Sequence, residues 1–314
     1  MYELTPRFPR YTHLVLSGGG MSGLIYIGIY RFLQQYKMLD SIHYICGTSI
    51  GAVFGFVFGL QMDYQYVEDL FIGSQEQRGI FTTDSPAIVF DPKAVFTFSE
   101  KQGFYTVERF RQYLVEWLKK KYQREDITFS EYMKLTGVDF HVNVTCLNTY
   151  NSLDLCNKTH PDMSVITAIL ASMSVPIFFE PIVYKDCVMI DGGCCDNLPI
   201  SWIEKNPPNK ILAINLGTDI EFSKDDLLQN TGLYGYAIIL SMVTSHTKNT
   251  IREYQDTVDI LEVNKNPIPF VQAFFEKEAI YTRISKELLE EGILFGYHSI
   301  DTFFHSKGYF EQTS

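Results

Sequence analysis

Over roughly the first two-thirds of the chain, short unbroken apolar runs alternate with longer segments of helical spacing. His13-Leu14-Val15-Leu16 and His43-Tyr44-Ile45-Cys46 each run straight into glycines, the pattern of strands buried on both faces. Between them, Leu24 to Gln35 carries its apolar side chains at helical spacing. Ile50 to about Leu60 is apolar on nearly every side, which predicts a helix sandwiched within a core. The whole stretch Ile42 to Leu60 approaches the length of a membrane-spanning helix. Gly47-Thr48-Ser49 interrupts it, so a buried strand followed by a buried helix is the better reading. Thr106 to Lys121 predicts an amphipathic helix with Phe110, Leu114, Trp117 and Leu118 on one face. Phe140 to Cys146 predicts a strand, Ser164 to Met173 a helix, Val183 to Ile190 a strand or hairpin, and Lys210 to Leu216 a strand.

Strands alternating with helices indicate βαβ units, hence an α/β fold with a largely parallel central sheet and helices on both faces. Ligand sites in such sheets lie at the carboxyl ends of the strands. Gly18 to Gly20, Ser49 and Asp191 each follow a strand and are therefore expected on one rim. After Leu216 the pattern changes. Leu227 to Tyr254 and Phe270 to Phe304 read as helices rich in aromatics, joined by Ile260 to Val263 and the turn Asn266-Pro267-Ile268-Pro269. The expected division is a unit over residues 11–217 and a mainly helical C-terminal extension over 218–314, packed on it or continuous with it. Gly73 to Gly103, rich in loop signals, is a candidate lid.

Charge narrows the function classes. The 314 residues carry a formal net charge of −11. That disfavours a nucleic-acid partner, which needs a basic stripe, and gives no long-range attraction to anionic lipid. Membrane contact is expected to be transient and to rest on apolar surface or on a local basic patch. The run Lys119-Lys120-Lys121 reads as a solvated helix end. Six cysteines show neither C-x-x-C nor Cys/His ligand spacing, so no metal and no cofactor is predicted and the thiols are read as small apolar groups. Asn143-Val144-Thr145 is a glycosylation sequon, but its place inside a strand-like run argues against modification. The N-terminal residues lack a secretory pattern; a cytoplasmic protein, peripheral on membranes, is expected. The oligomeric state is left open.

The candidate chemistry lies in three segments. Gly47-Thr48-Ser49-Ile50-Gly51 is a G-x-S-x-G corner between strand and helix, which exposes a serine hydroxyl for attack. Gly18-Gly19-Gly20, with Gly23 after it, presents backbone amides where an anion can sit. No P-loop lysine follows. Gly18, Gly20 and Gly23 do match the dinucleotide fingerprint, but the acidic residue it needs after the second strand is missing. Donors beside a nucleophile have a task as an oxyanion hole, so that reading is preferred. Val188-Met189-Ile190-Asp191-Gly192-Gly193 ends a strand on a carboxylate able to take the serine proton. A Ser-His-Asp triad using His246, His298 or His305 stays open.

The order of these segments resembles the patatin-like phospholipase family. Ala171-Ser172-Met173-Ser174-Val175-Pro176-Ile177-Phe178-Phe179-Glu180-Pro181 and Asp196-Asn197-Leu198-Pro199 add to the resemblance, which covers about residues 11 to 217. It implies Ser49 as nucleophile and Asp191 as base of a Ser-Asp dyad, with Gly18, Gly19 and Gly20 as the oxyanion hole. Gly23, Gly47, Gly51, Gly192 and Gly193 would support them. It further implies metal-independent hydrolysis of lipid acyl esters. The family loop often carries Arg or Lys where this chain has Ser22, so a positive charge near the anion site is lost, and either a weaker preference for phosphate headgroups or a lower activity is expected. The expected function is a lipid acyl hydrolase, of phospholipase A type or a related lipid esterase acting on lipid or phospholipid esters. The alternatives are a Ser-His-Asp esterase and a non-hydrolytic lipid-binding protein with the same pocket.

Overall fold

The computed structural model describes residues 8–73, 102–105, 107–203, 210–217, 221–229, 231–263 and 286–309. In chain order the elements are β1 (Tyr11–Leu16), α1 (Leu24–Gln35), β2 (Tyr44–Thr48), α2 (Ile50–Gly59), α3 (Tyr64–Ile72), β3 (Gly103–Tyr105), α4 (Glu108–Tyr122), α5 (Phe129–Thr136), β4 (Asp139–Cys146), β5 (Asn151–Cys156) and α6 (Val165–Ser172). There follow β6 (Ile177–Phe179), β7 (Ile182–Tyr184), β8 (Cys187–Asp191), β9 (Lys210–Asn215), α7 (Lys224–Gln229), α8 (Thr231–Tyr254), β10 (Asp259–Glu262) and α9 (Lys286–Ser306). Most of the proposed lid and the Asn266–Pro269 turn lie outside the described residues.

Eight strands form one sheet in the order β10-β9-β1-β2-β4-β8-β7, with β5 also paired to β4. From β10 to β4 every pairing is parallel. Past β4 the sheet turns antiparallel, through β5, β8 and the β7–β8 hairpin. The chain is thus an α/β fold whose parallel half carries the glycine loop and the serine corner, and whose antiparallel half carries Asp191. β5, α3 and α5 are elements the apolar pattern does not reveal. The starts of the two helices are instead written in polar side chains: Asp63 accepts from the Gln65 amide at 3.0 Å, and Thr128 and Glu131 form a reciprocal capping box.

The sheet separates two cores. Leu14, Leu16, Ile45, Phe140, Val142, Val144 and Ile214 face the larger one, built with α1, α2 and α6. Val15, Ile211 and Ala213 face a smaller one, closed by Leu198, Ile200 and Ile203 and by Ile251 of α8. Alternate residues of β4, namely His141, Asn143 and Thr145, are polar yet buried. They form a polar row inside the molecule.

Helix α9 packs along α1. Leu289, Ile293, Ile300 and Phe304 join the larger core. The helices cross at two glycines: a β-carbon on Gly28 would lie 1.9 Å from the Ile293 carbonyl oxygen, and one on Gly296 2.1 Å from that of Ile25. Only residues without a side chain permit that approach. No described helix is long and apolar enough to cross a membrane.

Candidate active site

Strand β2 ends and α2 begins at Ser49, whose φ of 53° and ψ of −125° fall where glycine is at ease and serine is strained. The corner is held by close backbone packing. A β-carbon on Gly51 would meet the Leu16 and Ser17 carbonyl oxygens at 2.4 and 2.5 Å, and one on Gly47 would meet the Gly51 carbonyl at 2.4 Å. The Ser49 amide donates to Ser172 Oγ at 2.7 Å, and that hydroxyl donates to the Asn143 carbonyl at 2.6 Å. Two elements, α6 and β4, therefore brace the corner from below.

Asp191 reaches Ser49 by an indirect route. β8 runs antiparallel to β4, so its carboxyl end points away from the rim where β2 finishes. Thr48 pairs with Asn143, however, and β4 continues beyond it through Val144, Thr145 and Cys146. β8 descends along this overhang until Asp191 stands opposite Val144, level with Ser49. There its amide donates to the Ser174 carbonyl at 2.9 Å, and its Oδ1 accepts from the Gly193 amide at 2.7 Å. The Ser49 hydroxyl lies close enough to the same carboxylate to favour its ionised form. Burial pushes the Asp191 carboxyl up to about 6, against Ser49 and the Gly193 amide. A carboxylate with that value is ionised at neutral pH and still basic enough to accept a proton.

The glycine loop follows β1. Ser17 Oγ donates to the Gly18 carbonyl at 2.9 Å and accepts from the Leu216 amide at 2.9 Å, tying the loop to β9. Gly18 is buried beside Ser49, and its amide donates to the Asn197 carbonyl at 3.3 Å. Gly19 lies on Leu216, and Gly20 is exposed with a φ of 54°. The Ser22 amide closes the turn on the Gly19 carbonyl at 3.0 Å. Gly23 lies against Ile50 of α2, Gly192 against the Asn143 carbonyl, and Gly193 against Asn197 and Asp191.

Asn143, read from sequence only as a sequon, is the hub beneath these parts. Its Nδ2 donates to Thr48 Oγ1 at 3.1 Å and to the carbonyls of Gly192 at 3.3 Å and Asp196 at 2.5 Å. Its Oδ1 accepts from Ser152 of β5. Asn143 shares its face of β4 with His141 and Thr145, and a polar side chain at alternate positions of a strand-like run is the one sequence signal that points to this role. Tyr236 of α8 was also missed. It lies near enough to Asp191 for that charge, after burial, to push its phenol up to about 12, and its ring meets Phe178 edge-on at 5.5 Å. Cys194 is pushed up to about 12 by burial and by Asp191. The described contacts of the histidines lead elsewhere: His246 acts on Asp196, His298 meets the Tyr297 ring, and His305 lies 3.7 Å from Asp301.

Residues 14–201 match the patatin family, described as patatin-like phospholipase. The chain belongs to this family. Among relatives of this patatin-like chain, the "Probable lipid hydrolase 463L" of Invertebrate iridescent virus 6 is 28% identical over 211 residues, covering 67% of this chain and 69% of the viral protein. Lysophospholipase NTE1 of Scheffersomyces stipitis is 28% identical over 220 residues, and this chain spans only 12% of its length. Triacylglycerol lipase ptl3 of Schizosaccharomyces pombe is 27% identical over 173 residues, 54% of this chain and 34% of that protein. Among solved structures, VipD from Legionella pneumophila superimposes with a TM-score of 0.54 at 15% identity over 95% of this chain and 67% of its own, a likeness of fold. The family match takes in the glycine loop, Ser49 and Asp191 and ends before β9 and α8. Tyr236 therefore reaches the patatin-like site from outside the matched segment.

Proposed function

We propose that this patatin-like chain is a serine lipid acyl hydrolase working through a Ser49–Asp191 dyad. The observation that carries the reading is the Ser49 side chain, held on a strained corner beside the buried Asp191 carboxylate, whose ionised form it favours. Ser49 Oγ attacks the ester carbonyl as its proton passes to Asp191. Charge then develops on the carbonyl oxygen, where the Gly19 and Gly20 amides donate to it; the Gly18 amide is engaged with Asn197. The intermediate collapses by breaking the ester C–O bond, and the departing alcohol takes the proton from Asp191. Water, deprotonated by Asp191, then attacks the acyl-Ser49 ester, and the fatty acid leaves as the proton returns to Ser49.

The substrates proposed are phospholipid or neutral-lipid esters, reached through transient contact with a membrane or droplet surface from the cytoplasmic side. A viral lipid hydrolase, a lysophospholipase and a triacylglycerol lipase among the relatives support the lipid class without choosing within it. Labelling with a fluorophosphonate probe, beside fatty-acid release from phosphatidylcholine, lysophosphatidylcholine and triolein, tests the reading. Wild type should label and turn over at least one lipid, Ser49→Ala should do neither, and Asp191→Asn should label slowly. Full turnover by Ser49→Ala, or labelling with no turnover of any lipid, overturns the hydrolase.

A further inference from the structure

At the far end of the polar row on β4, away from Ser49, a second cluster of reactive side chains has no part in the dyad chemistry. His141 pairs directly across the hairpin with Cys156, and Asn143 with Asp154, so His141, Asp154 and Cys156 stand on one face of β4 and β5. His141 Nδ1 lies 2.7 and 2.8 Å from the two Asp154 carboxylate oxygens. Cys156 Sγ lies 3.7 Å from Asp154 Oδ2. One donor atom from each residue falls within 4.8 Å of the others. On the opposite side of the ring, Nε2 faces Asp139 Oδ2 at 3.4 Å. The ring face stacks on Tyr44 with centroids 4.3 Å apart.

We propose that His141, Asp154 and Cys156 form a structural site for a zinc-class divalent cation, with Asp139 orienting the imidazole from behind. The donor set is imidazole, carboxylate and thiolate, which suits zinc and not the oxygen-seeking magnesium or calcium. Zinc bonds of about 2.0–2.3 Å set tetrahedral donor separations of roughly 3.4–3.6 Å. The sulfur–carboxylate distance already fits, and the His141–Asp154 contact has to open by about 0.6 Å on that geometry. A histidine ligand whose other ring nitrogen meets a carboxylate is the usual support for such a site. Asp154 keeps 16% of its side chain exposed, which leaves a path in and room for water as fourth ligand.

Two carboxylates, Asp139 and Asp154, flank the one imidazole from opposite sides, and a dication would offset their charge. On binding, Cys156 would lose its thiol proton and His141 its Nδ1 proton to solvent while Nε2–H stays directed at Asp139. Sequence spacing misses the set because its members come from two strands joined only by the hairpin.

The test uses the full chain, stripped with a chelator and titrated with zinc against a chromophoric competitor, and separately with cobalt(II). One equivalent should bind, with a sulfur-to-cobalt charge-transfer band and a rise in melting temperature. Cys156→Ser, a near-isosteric change, should lose the band and the stabilisation. Asp139→Asn should keep the band and weaken binding by roughly 10- to 100-fold. Absence of stoichiometric binding would leave a His141–Asp154 ion pair only and overturn the proposal. So would a band that survives in Cys156→Ser and is lost in Cys187→Ser.

Discussion

Ser49 and Asp191 are each held in a state their side chains disfavour. Ser49 occupies a left-handed backbone region with a β-carbon present, at a cost of order 1–3 kcal/mol. Ser49→Gly removes that cost and should stabilise the fold by about 1 kcal/mol in urea unfolding while abolishing turnover. A destabilised Ser49→Gly variant would mean that the corner is unstrained. Asp191 has a folded pKa of about 6 against an ordinary 3.8. The fold therefore favours its protonated form. That preference contributes stability below the ordinary value and is lost as pH rises through about 6, so the ionised carboxylate is a net cost at neutral pH. Asp191→Asn, uncharged throughout, should be about 1–3 kcal/mol more stable than wild type at about pH 8, with the difference vanishing near pH 4. The base role proposed for Asp191 sets the opposite trend in activity. Log kcat/KM should climb from acid pH and level off above about 6, and a profile flat across that value would remove Asp191 from the role.

At the scale of elements, the site depends on β4 being buried on both faces while polar on one. Phe140, Val142 and Val144 anchor the strand in the larger core, and Asn143 projects from the other face into the gap between the serine corner and the Asp191 turn. Asn143→Ala strips donors from Thr48, Gly192 and Asp196 and leaves the Ser152 hydroxyl without its acceptor. We expect a loss of about 2–4 kcal/mol in stability, from several buried groups left unpaired. Fluorophosphonate labelling should slow even at temperatures where the variant is folded; labelling at the wild-type rate would show that the hub does not position Ser49. The same strand explains why Asp191 was legible as a strand-end carboxylate while its route was not. The apolar pattern of Val188 to Ile190 predicts a strand but carries no sign of its direction, and pairing with the β4 overhang decides it.

Over the whole molecule, the C-terminal helix and the site share one core. α1 leaves the glycine loop and lies against α9 across Gly28 and Gly296, so the packing of α9 is transmitted to the element that follows the loop amides. Gly296→Val forces the two backbones apart and should cost about 3 kcal/mol or more, in the range of severe overpacking. If unfolding followed by tryptophan fluorescence and by circular dichroism then splits into two transitions, the helix is a separable unit. A single shifted transition means one cooperative structure.

The sequence by itself determined the strands and helices around the site, the order of the glycine loop, serine corner and acidic strand end, and the α/β class. Those features are local: apolar period, glycine placement and capping are set by neighbours along the chain. Tertiary structure alone decided the antiparallel half of the sheet, the hub at Asn143, the approach of Tyr236 to Asp191, and the meeting of His141 with Asp154 and Cys156. Each of these depends on residues distant in sequence whose partners are chosen by strand register and by which face of the sheet is filled. Sheet pairing is paid for by burial summed over the whole molecule, and no short window of sequence contains that sum.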